Sequence, residues 1–130
     1  MNLAQIILVD DNLPLLDLMA QLFRLDGYTV EVLDSLEKTG EYFNKTAGLS
    51  PALIILDFML GNAKTSRLAR RIKEVCPNVQ IIMVSGCPPS EMPPINQLKD
   101  DGIIELFMEK PYRYSDVKAF ISERELFATQ

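Results

Sequence analysis

Five side chains of this sequence have the types that phosphate and metal chemistry requires, and each lies at or just after the end of a short apolar segment. They are three carboxylates, a hydroxyl and an amine: Asp10, Asp11, Asp57, Ser85 and Lys110. Three carboxylates in one site repel one another, by roughly 4 kcal/mol per pair at about 4 Å and an effective dielectric near 20, unless a cation lies among them. Because no histidine or cysteine joins the set, its oxygen ligands favour Mg²⁺ or Mn²⁺. A divalent ion and one lysine would balance the three carboxylates, which suits transfer of a phosphoryl group onto a carboxylate.

The chain that must position these residues alternates short apolar segments with segments of helical periodicity. The predicted strands cover residues 6–9, 29–33, 52–56, 79–84 and 103–108, and the predicted helices cover residues 15–25, 35–45, 68–75, 94–99 and 114–127. This alternation predicts an α/β fold, with a five-stranded parallel sheet wound on both faces by five helices. Because the carboxyl ends of parallel strands share one edge, we expect the five side chains to converge there.

The composition excludes several classes of protein. A chain of 130 residues with 48% hydrophobic residues is expected to form one domain over residues 1–130, with no output domain. No apolar run of about 18 residues and no basic leader are present, which predicts a cytoplasmic protein without a membrane segment. The net charge of −5 argues against direct binding to nucleic acid. Cys76 and Cys87 lack metal-ligand spacing and are expected to be reduced thiols.

The candidate residues and the strand pattern together match a known signature. Asp10-Asp11, Asp57, Ser85 and Lys110-Pro111, in this order, resemble the conserved positions of response regulator receiver domains over essentially the whole chain. The resemblance implies a flavodoxin-like sheet with strand order 2-1-3-4-5. It also implies a Lys110-Pro111 peptide bond of the kind that is often cis in the family.

The same resemblance assigns the acceptor and the metal ligands. Asp57 would be the phosphoacceptor, and Mg²⁺ or Mn²⁺ would be held by Asp10, Asp11, Asp57 and the backbone carbonyl of Met59. Acidic oxygen ligands of this kind leave metal positions free for water and phosphate oxygens. We therefore expect a metal-dependent phosphorylation site at the end of the third predicted strand.

The resemblance also assigns the remaining catalytic and switching groups. Ser85 and Lys110 would contact phosphate oxygens and act with Asp57 as catalytic groups. Phe107 falls at the position of the family's switch aromatic, which turns inward when the hydroxyl at the Ser85 position moves toward the phosphoryl group. Because phenylalanine has no hydroxyl, a rotamer switch at Phe107 would depend on packing alone.

The absence of histidine from this sequence defines the expected partners. The chain has no phosphohistidine of its own, so the donor must be external: a sensor histidine kinase or a histidine phosphotransfer protein. The resemblance implies that phosphorylation changes binding to a downstream protein target, and it allows a homodimer. The protein would catalyse its own phosphorylation and dephosphorylation, without independent turnover of a small molecule.

The sequence departs from the family pattern in two segments. The family often has proline four residues and glycine eight residues after the phosphoacceptor, where this chain has Gly61 and Thr65. We expect these changes to alter the loop and leave the chemistry unchanged. The pairs Pro88-Pro89 and Pro93-Pro94 stiffen the approach to the fourth helix, which in the family moves on activation.

Two other functions stay open from the sequence. A non-phosphorylated interaction module would use the same fold as a docking surface, but such a module has no need of Asp57 or Lys110. A phosphatase of the haloacid-dehalogenase type also uses aspartate, lysine and Mg²⁺. Its nucleophile follows the first strand in an Asp-x-Asp arrangement, which the segment Asp10-Asp11-Asn12 lacks.

Overall fold

A computed structural model of the chain describes residues 4–45, 51–86 and 91–127. The strands are β1 (Ile6–Val9), β2 (Val30–Leu33), β3 (Leu53–Asp57), β4 (Met59–Leu60), β5 (Ala63–Lys64), β6 (Gln80–Ser85) and β7 (Leu106–Glu109). The helices are α1 (Leu13–Leu25), α2 (Leu36–Lys45), α3 (Ser66–Val75), α4 (Met92–Asp100) and α5 (Tyr114–Arg124). In the described part of the chain, the alternation is therefore the predicted one, with a short β4–β5 hairpin added before α3.

The five longer strands form one parallel sheet in the order β2-β1-β3-β6-β7. Numbered among themselves, these strands have the order 2-1-3-4-5, so the predicted flavodoxin-like α/β fold is confirmed. The register pairs Val9 with Leu56 and Asp57 with Val84. The residues at or just after the carboxyl ends of β1, β3 and β6 therefore lie side by side at one edge of the sheet.

The sheet is covered on both faces, because alternate residues of each strand point to opposite sides. On β3, Leu53 and Ile55 pack with the buried faces of α1 and α5, whereas Ile54 and Leu56 pack with α2, α3 and α4. Every residue of β1 and β3 is buried. This two-sided burial explains why the sequence of these strands is continuously apolar up to the first carboxylate.

Local signals explain where α1 and α4 begin and end. The Asn12 side chain accepts a hydrogen bond from the Leu15 N–H at 3.2 Å and caps α1, and Gly27 has a φ of +93° just beyond its end. Helix α4 begins two residues before the predicted start at Pro94. It tolerates Pro93 and Pro94 because both lie in the first turn, where backbone N–H groups have no partner within the helix.

Three further expectations concern segments away from the site. The last strand begins at Leu106 instead of at the predicted residue 103. Cys76 is buried just after α3, whereas Cys87, Pro88 and Pro89 lie outside the described residues. None of the helices in the described part of the chain combines the length and the apolar character that crossing a bilayer requires.

A largely buried ion pair joins α3 to the strands β6 and β7. The Glu105 carboxylate accepts from the Ile81 N–H at 2.6 Å and from the Lys73 ammonium at 2.9 Å. Lys73 also donates to the Val79 carbonyl at 2.6 Å. Since both side chains of the ion pair are mostly buried, removing the carboxylate leaves a buried N–H and an ammonium without this acceptor.

We expect Glu105→Ala to lower the free energy of unfolding by about 2–3 kcal/mol, measured by urea denaturation. The matched control is Glu74→Ala, because the Glu74 carboxylate is exposed and lies 4.0 Å from Arg71. That exposed pair should contribute at most about 0.5 kcal/mol. Equal losses in the two variants would contradict the importance of the Glu105 contacts.

Candidate functional site

Three carboxylates meet at the carboxyl edge of the sheet. Asp10 follows β1, Asp57 ends β3, and Asp11 is the next residue after Asp10. One oxygen of each lies within 4.8 Å of the others. Asp10 and Asp57 are buried and Asp11 is exposed. The strand pattern thus brings together the three acidic residues expected from the sequence.

Lys110 places its ammonium between the two buried carboxylates. The Nζ atom lies 2.8 Å from Asp57 Oδ2 and 2.9 Å from Asp10 Oδ2. The contact with Asp57 is a directed hydrogen bond, whereas the contact with Asp10 is an ion pair of poorer hydrogen-bond geometry. The Lys110 backbone N–H donates to the Ser85 carbonyl at 2.7 Å, and the Lys110-Pro111 peptide bond is cis. The end of β7 is therefore anchored to the end of β6, with the lysine directed into the acidic site.

The electrostatics of the site follow from burial and from this shared lysine. Burial raises the pKa of Asp57 to about 6; the hydrogen bond from Lys110 opposes the rise, and the charge of Asp10 adds to it. Burial alone would lower the pKa of Lys110, but its close contacts with the Asp10 and Asp57 carboxylates raise that pKa overall. One ammonium therefore faces three carboxylates, and a formal charge of −2 remains when all are ionised.

This donor set fits a hard divalent cation. The three side chains offer only carboxylate oxygens, close enough together for one ion to contact all of them. Met59, at the start of β4, lies beside the site because its N–H donates to Asp57 Oδ1 at 3.2 Å. The residues expected to hold Mg²⁺ or Mn²⁺ are thus neighbours, and a divalent cation would balance their excess negative charge.

The segment after Asp57 forms a hairpin in which both departures from the family pattern make contacts. At the turn, Gly61 has a φ of +60° and its N–H donates to Asp11 Oδ2 at 2.7 Å. A proline at this position would have no N–H to donate. At the base, the buried Thr65 donates through Oγ1 to the Asp57 carbonyl at 2.8 Å and through its N–H to the Phe58 carbonyl at 2.9 Å.

These contacts show what the sequence analysis missed. The altered loop was expected, but the hydrogen bond from Gly61 to the exposed carboxylate Asp11 was not. The available signal was chemical, since replacing proline by glycine adds a backbone donor next to an acidic site. For the Thr65 hydroxyl no such signal existed, because its acceptors are defined only by the fold.

Ser85 and Phe107 lie on adjacent strands but in different surroundings. Ser85 is buried at the end of β6, and its hydroxyl donates to Glu91 Oε1 at 2.5 Å. Glu91 was not singled out from the sequence. Phe107 is half-buried on β7 and packs against the core cluster that contains Ile95 and Leu98 of α4. These positions are compatible with the expected switch, which stays a prediction.

An open hollow lies next to Lys110. Its lining includes Asn12 and Leu15 from the start of α1, together with Pro111 and Tyr112 from the segment after β7. Burial, and then the charges of Asp10 and Asp57, raise the pKa of Tyr112 above its usual value. The phenol therefore stays neutral near the site, and it adds no further negative charge to the carboxylates.

Comparison with known proteins agrees with this architecture. The family model described as response regulator receiver domain matches residues 6–122. A CheY-like response regulator receiver domain protein from Methanospirillum hungatei is 24% identical, with a TM-score of 0.78 over 95% of this chain and 94% of that chain. A chain described as adenylate cyclase from Rhodopirellula baltica is 20% identical, with a TM-score of 0.78 over 98% of this chain and 100% of that chain.

A third structure is a response regulator protein from Burkholderia pseudomallei with a phosphorylated aspartic acid, a calcium ion and citrate. It is 18% identical, with a TM-score of 0.73 over 95% of this chain and 74% of that chain. At these identities the structural likeness supports the fold alone. A search of curated proteins found no match.

The raised pKa of Asp57 predicts a pH-dependent effect of Asp57→Asn on stability. Between the unfolded pKa of about 3.9 and the folded pKa of about 6, the Asp57 carboxyl binds more protons in the folded state than in the unfolded state. The free energy of unfolding therefore falls as the pH rises through this range. With metal removed by EDTA, Asp57→Asn should be more stable than wild type above pH 6, on the order of 1 kcal/mol after allowance for hydration of the site. The gain should vanish below about pH 4.

Urea unfolding between these pH values measures the effect, with Asp17→Asn as the control because Asp17 is an exposed carboxylate on α1. A stability difference between Asp57→Asn and wild type that is the same at every pH would contradict the raised pKa.

Thr65 provides a separate prediction about the hairpin. Thr65→Val keeps the shape of the side chain but removes the hydroxyl that donates to the Asp57 carbonyl, whereas the Phe58 carbonyl keeps the Thr65 N–H. We expect a loss of about 1–3 kcal/mol in the free energy of unfolding. Thr65→Ser, which keeps the hydroxyl, should recover most of that loss. Identical stability of the valine and serine variants would show that the hydroxyl contributes nothing.

Proposed function

The chain belongs to the response regulator receiver family, and we propose that it acts in two-component signalling by accepting a phosphoryl group on Asp57. The observation that carries the proposal is the buried Asp57 carboxylate, which is paired with Lys110 and flanked by two further carboxylates at the sheet edge. A carboxylate in this position can act as a nucleophile, because bulk water does not solvate its negative charge.

The partners of Asp57 define its reaction. With a pKa of about 6, Asp57 is mostly ionised at neutral pH. One carboxylate oxygen attacks the phosphorus of an external phosphohistidine, the new P–O bond forms, and the P–N bond breaks to return the imidazole. Lys110 keeps its proton and donates to the transferred phosphoryl oxygens, so its contact with Asp57 Oδ2 is exchanged for contacts with the new group.

The cofactor of this reaction is proposed to be Mg²⁺, with Mn²⁺ as a substitute. Asp10, Asp11, Asp57 and the backbone carbonyl of Met59 would hold the ion. When bound, it would neutralise the carboxylates and the charge of the transferred phosphoryl group. The charge excess and the short separations among the three carboxylates support this assignment.

The phosphodonor is proposed to be a sensor histidine kinase or a histidine phosphotransfer protein, since the chain has no histidine. Ser85 and Phe107 would then convert phosphorylation into altered binding of a downstream protein in the cytoplasm. The candidate nucleophile ends the third strand of the chain instead of following the first, which favours this function over a haloacid-dehalogenase-type phosphatase. The complete acidic site favours it over a docking module that needs no phosphorylation.

Treatment with phosphoramidate and Mg²⁺ should add about 80 Da to the intact mass, as expected for one phosphoryl group. Asp57→Asn should abolish the addition, and EDTA should suppress it in the wild type. Asp17→Asn, which removes an exposed carboxylate on α1, should be phosphorylated like the wild type. Equal phosphorylation of Asp57→Asn and wild type would contradict Asp57 as the acceptor.

A further inference from the structure

The hydroxyl of Ser85 has an acceptor outside the acidic site. Ser85 is 2% exposed, and its Oγ donates to Glu91 Oε1 at 2.5 Å. Glu91 is half-buried and stands immediately before α4. A hydrogen bond to a carboxylate is charge-assisted and roughly twice as strong as one between neutral groups. The contact therefore links the end of β6 to the start of α4 through one strong bond.

The sequence of α4 explains why the Glu91 carboxylate accepts from Ser85. Glu91 occupies the N-cap position, yet its side chain makes no capping hydrogen bond. An N-cap acceptor usually binds the N–H of the second or third helical residue. In α4 these residues are Pro93 and Pro94, which have no N–H. The prolines thus remove the usual donors, and the Ser85 hydroxyl donates to the carboxylate instead.

A serine hydroxyl carries a single proton and donates it in one direction at a time. In the proposed function, Ser85 donates to a phosphoryl oxygen on Asp57, and this requires the bond to Glu91 to break. We propose that Glu91 is a positioning residue that competes with the phosphoryl group for the Ser85 hydroxyl. This role depends on the proposed function, since it has no consequence unless a phosphoryl group reaches Asp57.

The competition also provides a route for the signal. When Ser85 turns to the phosphoryl group, Glu91 loses a strong partner and the start of α4 loses this hydrogen bond to β6. Ile95 and Leu98 are the buried residues of α4, and they hold the rest of the helix on the sheet. The change is therefore concentrated at the start of α4, next to the cluster against which Phe107 packs.

Binding of beryllofluoride with Mg²⁺, measured by isothermal titration calorimetry, tests this role because beryllofluoride mimics a phosphoryl group on a carboxylate. We expect Glu91→Ala to bind about tenfold more tightly than wild type, since no bond to Ser85 has to be broken. Glu91→Gln, which keeps a weaker neutral acceptor, should be intermediate. Asp100→Ala removes the same charge at the far end of α4 and should stay within about twofold of wild type.

A double-mutant cycle separates the hydrogen bond from a general effect of charge. In the Ser85→Ala background, Glu91→Ala should leave beryllofluoride affinity unchanged. A gain that persists without the hydroxyl would overturn the proposed role, as would equal affinities of wild type and Glu91→Ala. Both results would leave the proposed function intact. Failure of every variant and of the wild type to bind beryllofluoride would instead contradict the proposed function, and the role of Glu91 with it.

Discussion

Three carboxylates lie close together at the edge of the sheet, with a single lysine ammonium among them. The rest of the site can be understood from this excess of negative charge. Lys110 reaches both buried carboxylates but neutralises only one charge. Burial then raises the pKa of Asp57, the carboxylate with the closest lysine contact. A site in this condition favours a divalent cation. The same imbalance accounts for both the proposed cofactor and the proposed reaction.

The parallel sheet is what makes the crowding possible. Asp10, Asp57 and Ser85 come from distant parts of the sequence, and the register of β1, β3 and β6 places them side by side. The strands that form this edge are continuously apolar and buried on both faces. The remaining contacts of the site come from the connections that follow the strands. There, the β4–β5 hairpin holds the exposed carboxylate Asp11 through the Gly61 N–H, and Glu91 holds the Ser85 hydroxyl.

The sequence alone was sufficient for the fold class, the strand order and the convergence of the acidic residues with Lys110. The fold class and the convergence follow from hydrophobic periodicity and from the geometry of parallel sheets, which depend little on individual contacts. The strand order was implied by the resemblance to receiver domains. The hairpin and its contacts could not be predicted in the same way. The acceptor of the Thr65 hydroxyl and the partner of Ser85 depend on how a loop folds back, and no local pattern encodes that. Glu91 in particular lies six residues from Ser85 and has significance only because Pro93 and Pro94 remove its usual donors.

We propose that burial beside like charges leaves Asp57 a reactive carboxylate, which a divalent cation stabilises in its ionised form. The most direct measurement is the pKa of the Asp57 carboxyl group, followed through the ¹³C chemical shift of its carboxyl carbon. The signal is assigned with Asp57→Asn, and the titration is recorded without metal and with saturating Mg²⁺. We expect a pKa of about 6 without metal and a clearly lower pKa with Mg²⁺. A pKa near 4 under both conditions would contradict this view of the site.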